Sequence, residues 1–131
     1  EYLARYRVAD LFLDTQPYNA GATASDALRM GLPVLTLKGN SFNSREAASV
    51  IGALNLPELI TTTKEEYESL AIELATDPEK LKIIKDKLAS NLSTAPLYDT
   101  KLFTKNLESA YTMMYDRYHQ GLDPDHIYVK H

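Results

Sequence analysis

Two short apolar runs, residues 11–13 (Leu, Phe, Leu) and 34–37 (Val, Leu, Thr, Leu), constrain this chain more than any other feature. Each is too short for a helix, is flanked by Pro or Gly, and shows little alternation of apolar and polar residues. That pattern fits strands covered on both faces of a parallel sheet. Between the runs lie a loop containing Pro17, Tyr18, Asn19, Ala20 and Gly21 and a stretch over residues 23–30 that reads as a brief helix. The unit is therefore strand, loop, helix, strand, and its crossover is expected to be right-handed.

Chemistry belongs in that loop, because in open parallel sheets ligands bind beyond the carboxyl ends of the strands, where the next helix begins. Gly21, Ala22, Thr23, Ala24 and Ser25 are all small, so a ligand can approach the backbone closely. The first-turn amides of a helix have no intrahelical acceptor and sit at the positive end of its dipole, which together make an anion site. Thr23 is expected to cap the helix through its hydroxyl. Asp26 comes next, placed to accept hydrogen bonds from ligand hydroxyls such as a ribose diol. The same residues also describe an ordinary helix start, where Thr caps and Asp offsets the dipole. Neither a dinucleotide-binding nor a P-loop glycine fingerprint is present.

Downstream, Gly31 and Pro33 are ordered as a helix terminator followed by a strand start. Lys38, Gly39, Asn40 and Ser41 form a loop into a helix expected to begin near Asn43 or Ser44. Arg45 then falls in its first turn, where the dipole favours an acid. Either a role beside a ligand or a salt bridge to a carboxylate at the sheet end accounts for it. Ala47, Val50, Ile51 and Leu54 repeat at helical spacing and mark a core face. Leu59 and Ile60 read as a third strand. Thr63 with Glu66 is a capping box opening a helix whose face is Tyr67, Leu70, Ala71 and Leu74. Asp77 and Pro78 start another, with Leu81, Ile84 and Leu88 inward and Lys80, Lys82, Lys85 and Lys87 on a solvated side. A last long helix over residues 100–120 carries Leu102, Phe103, Leu107, Tyr111, Met114, Tyr115 and Tyr118, whose spacing is that of a packing face. Exposure of part of that aromatic face would promote self-association.

At 131 residues the chain is expected to form a single domain of class α/β, a small parallel sheet in a three-layer arrangement with a helical C-terminal half. A formal net charge of −4 without a long single-sign block argues against a nucleic-acid surface. The chain has no Cys, so disulfides, thiol nucleophiles and thiolate metal sites are excluded, and a reducing cytoplasm is compatible. No apolar stretch approaches a membrane span and no signal peptide opens the chain. His119, His126 and His131 lack tight ligand spacing, so no metal is expected. The start without Met reads as a piece cut from a longer protein.

Taken together, the motifs LDT, YNAGATASDAL, GLPVLT, G-x-x-x-x-S-R from Gly39 to Arg45, LPELI and PLYDT resemble glycosyltransferase family 41, the O-GlcNAc transferase and SPINDLY-like proteins. The likeness runs through EYESLAIELATDPEKLKIIKDKL to the terminal PDHIYV and so covers nearly the whole chain. It implies the C-terminal, donor-binding lobe of a GT-B enzyme, in a cytoplasmic parent whose helical repeats and second lobe lie outside these residues. By resemblance, the donor is a nucleotide sugar: Ala22 and Thr23 would give amides and a hydroxyl to the diphosphate, and Asp26 would hold the ribose. Tyr2 and Arg5 would sit near the base, where the family commonly has His at the position of Tyr2. Asn19 and Gly21 line the same loop, and the family often has His at the position of Gly21. Arg45 would lie beside the sugar-diphosphate pocket.

The reaction so implied is metal-independent transfer of N-acetylglucosamine from UDP-GlcNAc to Ser or Thr of a protein. This chain alone is expected to be inactive, with no catalytic residue in it. Other readings stay open: an asparagine-directed or GDP-fucose-using transferase, a nucleotide-sugar epimerase, or a degenerate binding or scaffold module.

Overall fold

A computed structural model describes residues 1–129, which fall into two compact units divided between Leu97 and Tyr98. The first unit opens with a 3-10 helix, Leu3–Val8, followed by β1 (Phe12–Leu13), α1 (Ala22–Arg29), β2 (Val34–Leu37), α2 (Glu46–Ala53), β3 (Ile60–Thr61), α3 (Lys64–Thr76) and α4 (Pro78–Leu92). The sheet has the order β1-β2-β3 and both pairings are parallel. Phe12 and Leu13 pair with Val34 and Leu35, and Thr36 and Leu37 pair with Ile60 and Thr61.

Successive strand side chains point to opposite faces, and Val34, Leu35 and Thr36 are all fully buried, so both faces of β2 are covered. On one face α1 and α2 pack on each other and against β2, while α3 contacts β2 and β3 and carries α4. The expectation of two-sided burial fails for β1. It is an edge strand, and Leu13 is 52% exposed. Leu28, Leu35, Ile51, Leu54, Leu56, Leu59, Leu74 and Leu88 fill the core.

Local sequence rules explain where these helices start and stop. Gly31, at φ +82°, lets the Leu32 amide reach back to the Ala27 carbonyl and close α1, and Asn55, at φ 55°, does the same for α2 through Leu56 and Ile51. The capping box forms as expected: the Glu66 amide donates to Thr63 Oγ1, and the Glu66 carboxylate accepts from the amides of Thr62 and Thr63. Those bonds, the Thr62 amide first, hold the Glu66 carboxyl below the usual range. Asp77 Oδ1 caps α4 by accepting from the Glu79 and Lys80 amides. The four lysines of α4 are not merely solvated, for each is ion-paired: Lys80 with Glu73, Lys82 with Asp86, Lys85 with Asp10 and Lys87 with Glu58.

In the second unit α5 (Thr100–His119) is capped by Asp99, whose Oδ1 accepts from the Leu102 amide at 2.9 Å. None of its residues is buried, so the rings expected to pack are open to solvent, with Phe103 and Tyr115 both 64% exposed. Helical spacing places those rings on one stripe but cannot say that anything covers it. Among the described residues no helix is long and apolar enough to cross a membrane.

Candidate functional site

The loop between β1 and α1 is built around one carboxylate. Asp14, 6% exposed, accepts from the Thr15 and Ala20 amides at 2.9 and 2.7 Å through Oδ1, and from Thr36 Oγ1 at 2.6 Å through Oδ2. The Thr36 bond ties the loop to the central strand. The Asp14 carbonyl also accepts from the Tyr67 hydroxyl at 2.8 Å. Burial, and secondarily the Asp14 charge, raise the Tyr67 phenol pKa.

Held this way, the loop delivers α1 to the carboxyl-end side of the sheet. The helix starts one residue earlier than expected, at Ala22, with Gly21 as N-cap. Thr23 therefore does not cap it; no side-chain cap bond is made, and the first turn carries no acidic residue. The reason is positional, since a capping hydroxyl must stand before the first helical residue and Thr23 stands inside. The first-turn amides of α1 are left without an intrahelical acceptor, as in any helix, and without a cap from their own segment.

The second helix, by contrast, starts later than expected. Ser44 Oγ accepts from the Ser41 amide at 3.0 Å, the Gly39 amide donates to the Ser44 carbonyl at 2.8 Å, and the chain turns on itself before α2 begins at Glu46. Gly39 is required by this close approach, because a Cβ there would stand 2.5 Å from Ser44 Oγ. Arg45 is the N-cap rather than a first-turn residue. Instead of the salt bridge considered for it, its Nε donates to the Ser41 carbonyl at 3.2 Å. The dipole conflict read at Arg45 is thus smaller than expected, and the first helical position is the acid Glu46.

Between these two helix starts lies a cavity of about 480 Å³ lined by Gly21, Ala22, Ser25, Phe42, Arg45 and Glu46, with Ser49 and Val50 farther along α2. Of the residues singled out from sequence, it brings together Gly21, Ala22 and Arg45. Glu46 was not among them, yet its carboxylate fills the space above Gly21: a Cβ on that glycine would lie 2.9 Å from Glu46 Oε1.

The remaining sequence candidates lie elsewhere. Thr23 is exposed on the first turn of α1. Tyr2, the N-cap of the 3-10 helix that contacts α1, and Tyr6 on that helix share a 2.8 Å hydroxyl–hydroxyl hydrogen bond, and their rings meet edge to face at 5.7 Å. The Tyr6 phenol is pushed up to about 12, first by that bond, then by burial, and further by the charges of Tyr2 and Asp26. Arg5 is exposed on the same 3-10 helix. Asn19 is 1% exposed; its amide donates to the Asn43 carbonyl at 3.0 Å and its Nδ2 to the Thr15 carbonyl at 2.9 Å. It ties two loops together and offers no side-chain surface to a ligand. Tyr6 and Glu46 are the residues that sequence reasoning passed over. An i, i+4 Tyr–Tyr pair was a legible signal for the first, whereas nothing local marks Glu46, since its contact is with Gly21 across the fold.

Comparison with known proteins gives a consistent result. Residues 1–107 match the family model for glycosyl transferase family 41. A UDP-N-acetylglucosamine–peptide N-acetylglucosaminyltransferase of Caenorhabditis elegans is 35% identical over 127 residues, 97% of this chain and 11% of that protein. A probable enzyme of the same name, SPINDLY of Hordeum vulgare, is 34% identical over 124 residues, 95% of this chain and 13% of that protein. A solved structure of a mutant Thermobaculum terrenum O-GlcNAc transferase superposes with a TM-score of 0.80 at 37% identity, covering 87% of this chain and 22% of its own. The chain therefore spans only a small part of each of these relatives.

Proposed function

Since this chain belongs to glycosyltransferase family 41, we propose that it is the donor-binding part of a protein glycosyltransferase that moves N-acetylglucosamine from UDP-N-acetylglucosamine to a protein hydroxyl. Its fold fits a fragment of a GT-B lobe, like the matched region of the bacterial O-GlcNAc transferase. One observation carries the reading: the uncapped first turn of α1 opens at Gly21 and Ala22 into a cavity that Arg45 also lines. A diphosphate at that turn meets free amides and the positive end of the helix, which stabilise negative charge as the sugar leaves. Ala22 and Thr23 contribute amides, Asp26 accepts from the ribose hydroxyls, and Tyr2 with Tyr6 stands on the base side of Asp26. Recognition of the acceptor protein and the general base are assigned to residues outside this chain.

A second reading, a member that has lost donor binding, draws on the Glu46 carboxylate lying over Gly21. A single titration separates the two. Amide resonances of the chain are followed by NMR during addition of UDP or GDP, with Asp26→Ala as control. Shifts clustered at residues 21–26 with UDP and lost in the variant are expected. Absence of shifts with either nucleotide at millimolar concentration overturns the reading for this chain.

A further inference from the structure

The carboxylate of Glu46 stands beside Gly21, the N-cap of the helix whose first turn the donor reading gives to negative charge. Its three nearest atoms stand 2.9, 3.2 and 3.4 Å from the point where a Gly21 Cβ would be, so the absence of a side chain at position 21 is what admits it. No acidic residue of α1 itself serves that helix start, and no side chain caps it. The neighbouring cation of the cavity, Arg45, directs its Nε to the Ser41 carbonyl. Beyond the carboxylate the cavity is lined by Ser25, Ser49 and Val50 and by Phe42, which is 73% exposed. Hydroxyls, a carboxylate, a guanidinium and one open aromatic face form a set suited to a saccharide ring, whose C–H face meets an aromatic while its hydroxyls donate to carboxylate oxygens.

We infer that Glu46 is a specificity-determining residue that makes the cavity favour a sugar-bearing diphosphate over the same diphosphate without its sugar. This rests on the donor-site reading above. In the free chain the carboxylate stands beside the N-cap of α1 and repels an incoming diphosphate, which enters by displacing it. A bare nucleoside diphosphate leaves the displaced carboxylate without a partner. A hexose on that diphosphate supplies hydroxyl donors to it, so part of the repulsion is offset by hydrogen bonds to a charged acceptor. Discrimination against the product of transfer results, because the product lacks the hydroxyls that satisfy Glu46.

The test compares the affinities of UDP and UDP-N-acetylglucosamine for the native chain, for Glu46→Gln and for Glu46→Ala, measured by calorimetry or by amide shifts. Glu46→Gln removes the charge and keeps the shape. Glu46→Ala removes the carboxylate altogether, so a folding defect in one variant leaves the other to decide. A resident charge at a helix start is worth enough that UDP is expected to gain about two- to fivefold in either variant. The ratio of UDP-sugar to UDP affinity should fall toward one in Glu46→Gln. UDP binding equally well to all three proteins, with an unchanged ratio, overturns this inference and leaves the donor site standing. No binding of either ligand to any of the three overturns the donor site, and this inference with it.

Discussion

Replacing Asp14 by Ala tests whether the loop clamp is what holds the site. Three hydrogen bonds to a charged acceptor disappear, from the Thr15 amide, the Ala20 amide and Thr36 Oγ1. Bonds of that kind contribute about 1.5–3 kcal/mol each, a gross loss of roughly 4–9 kcal/mol. Two effects reduce it. The variant no longer desolvates a carboxylate on folding, a cost of several kcal/mol for a buried ion. The exposed parts of the loop can also relax toward water. One effect adds to it: Thr36 is fully buried, so its hydroxyl is stranded at about 1–3 kcal/mol. The net expectation is a loss of about 3–5 kcal/mol, a large share of the roughly 5–15 kcal/mol that holds a domain folded.

Asp14→Asn keeps an acceptor for the two amides and can present an N–H toward Thr36, so a loss of about 1–3 kcal/mol is expected. Urea unfolding followed by far-ultraviolet circular dichroism gives both values, provided the dependence on urea keeps its slope. A double-mutant cycle with Thr36→Val should show coupling of about 0.5–3 kcal/mol, as for groups in direct contact. A loss below about 1 kcal/mol in Asp14→Ala, or no more than in Asp14→Asn, refutes the clamp.

Two further outcomes rest on the geometry. The Tyr6 phenol should titrate near 12 rather than the ordinary 10, read by tyrosinate ultraviolet absorbance, and Tyr2→Phe should bring it back down. Because the folded value is raised, its contribution to stability is complete below pH 10 and is lost as pH rises through 12; an unshifted Tyr6 would contradict the 2.8 Å hydroxyl pair. Gly39→Ala should cost about 1–3 kcal/mol, since its Cβ would meet Ser44 Oγ at 2.5 Å and Ser44 Cβ at 2.7 Å. The same substitution in a Ser44→Gly background should cost much less, and equal costs in thermal melts of the two would place the strain elsewhere.

What the sequence disclosed and what it concealed differ by the range of the interaction. Thr63 with Glu66, Asp77 with Pro78, and Gly31 after α1 are local signals, and each produced the cap or stop expected of it. Two-sided burial was legible for β2, whose neighbours on both sides cover it, but not for β1, because an edge position is a property of strand order and not of the run itself. Helix starts slipped by one to three residues where side chains and backbone settle the boundary between them. At α1 a glycine took the N-cap in place of Thr23, and at α2 the Ser41–Ser44 turn delayed the first helical residue to Glu46. The bond from Thr36 to Asp14, 22 residues away, was not legible from the loop alone. The site is legible through its small residues and its family likeness. Its most consequential side chain, Glu46, is not, because the contact that defines it crosses from one helix start to another.

The Asp14 clamp also sets how freely this loop can change. A single oxygen gathers the amides of Thr15 and Ala20, so the two ends of the segment are tied at one point, while Gln16, Pro17 and Tyr18 between them lie exposed. A closed ring of this kind separates the length of the segment from the position of α1. The entropy of closing a loop grows only slowly with added residues, so extra residues at the tip enlarge the ring without shifting its knot. Position 18 is therefore a natural point for grafting a tag, a fluorophore or a foreign peptide a few residues upstream of the helix start. Signals placed there would report on ligand arrival at Gly21 and Ala22 from just outside the site.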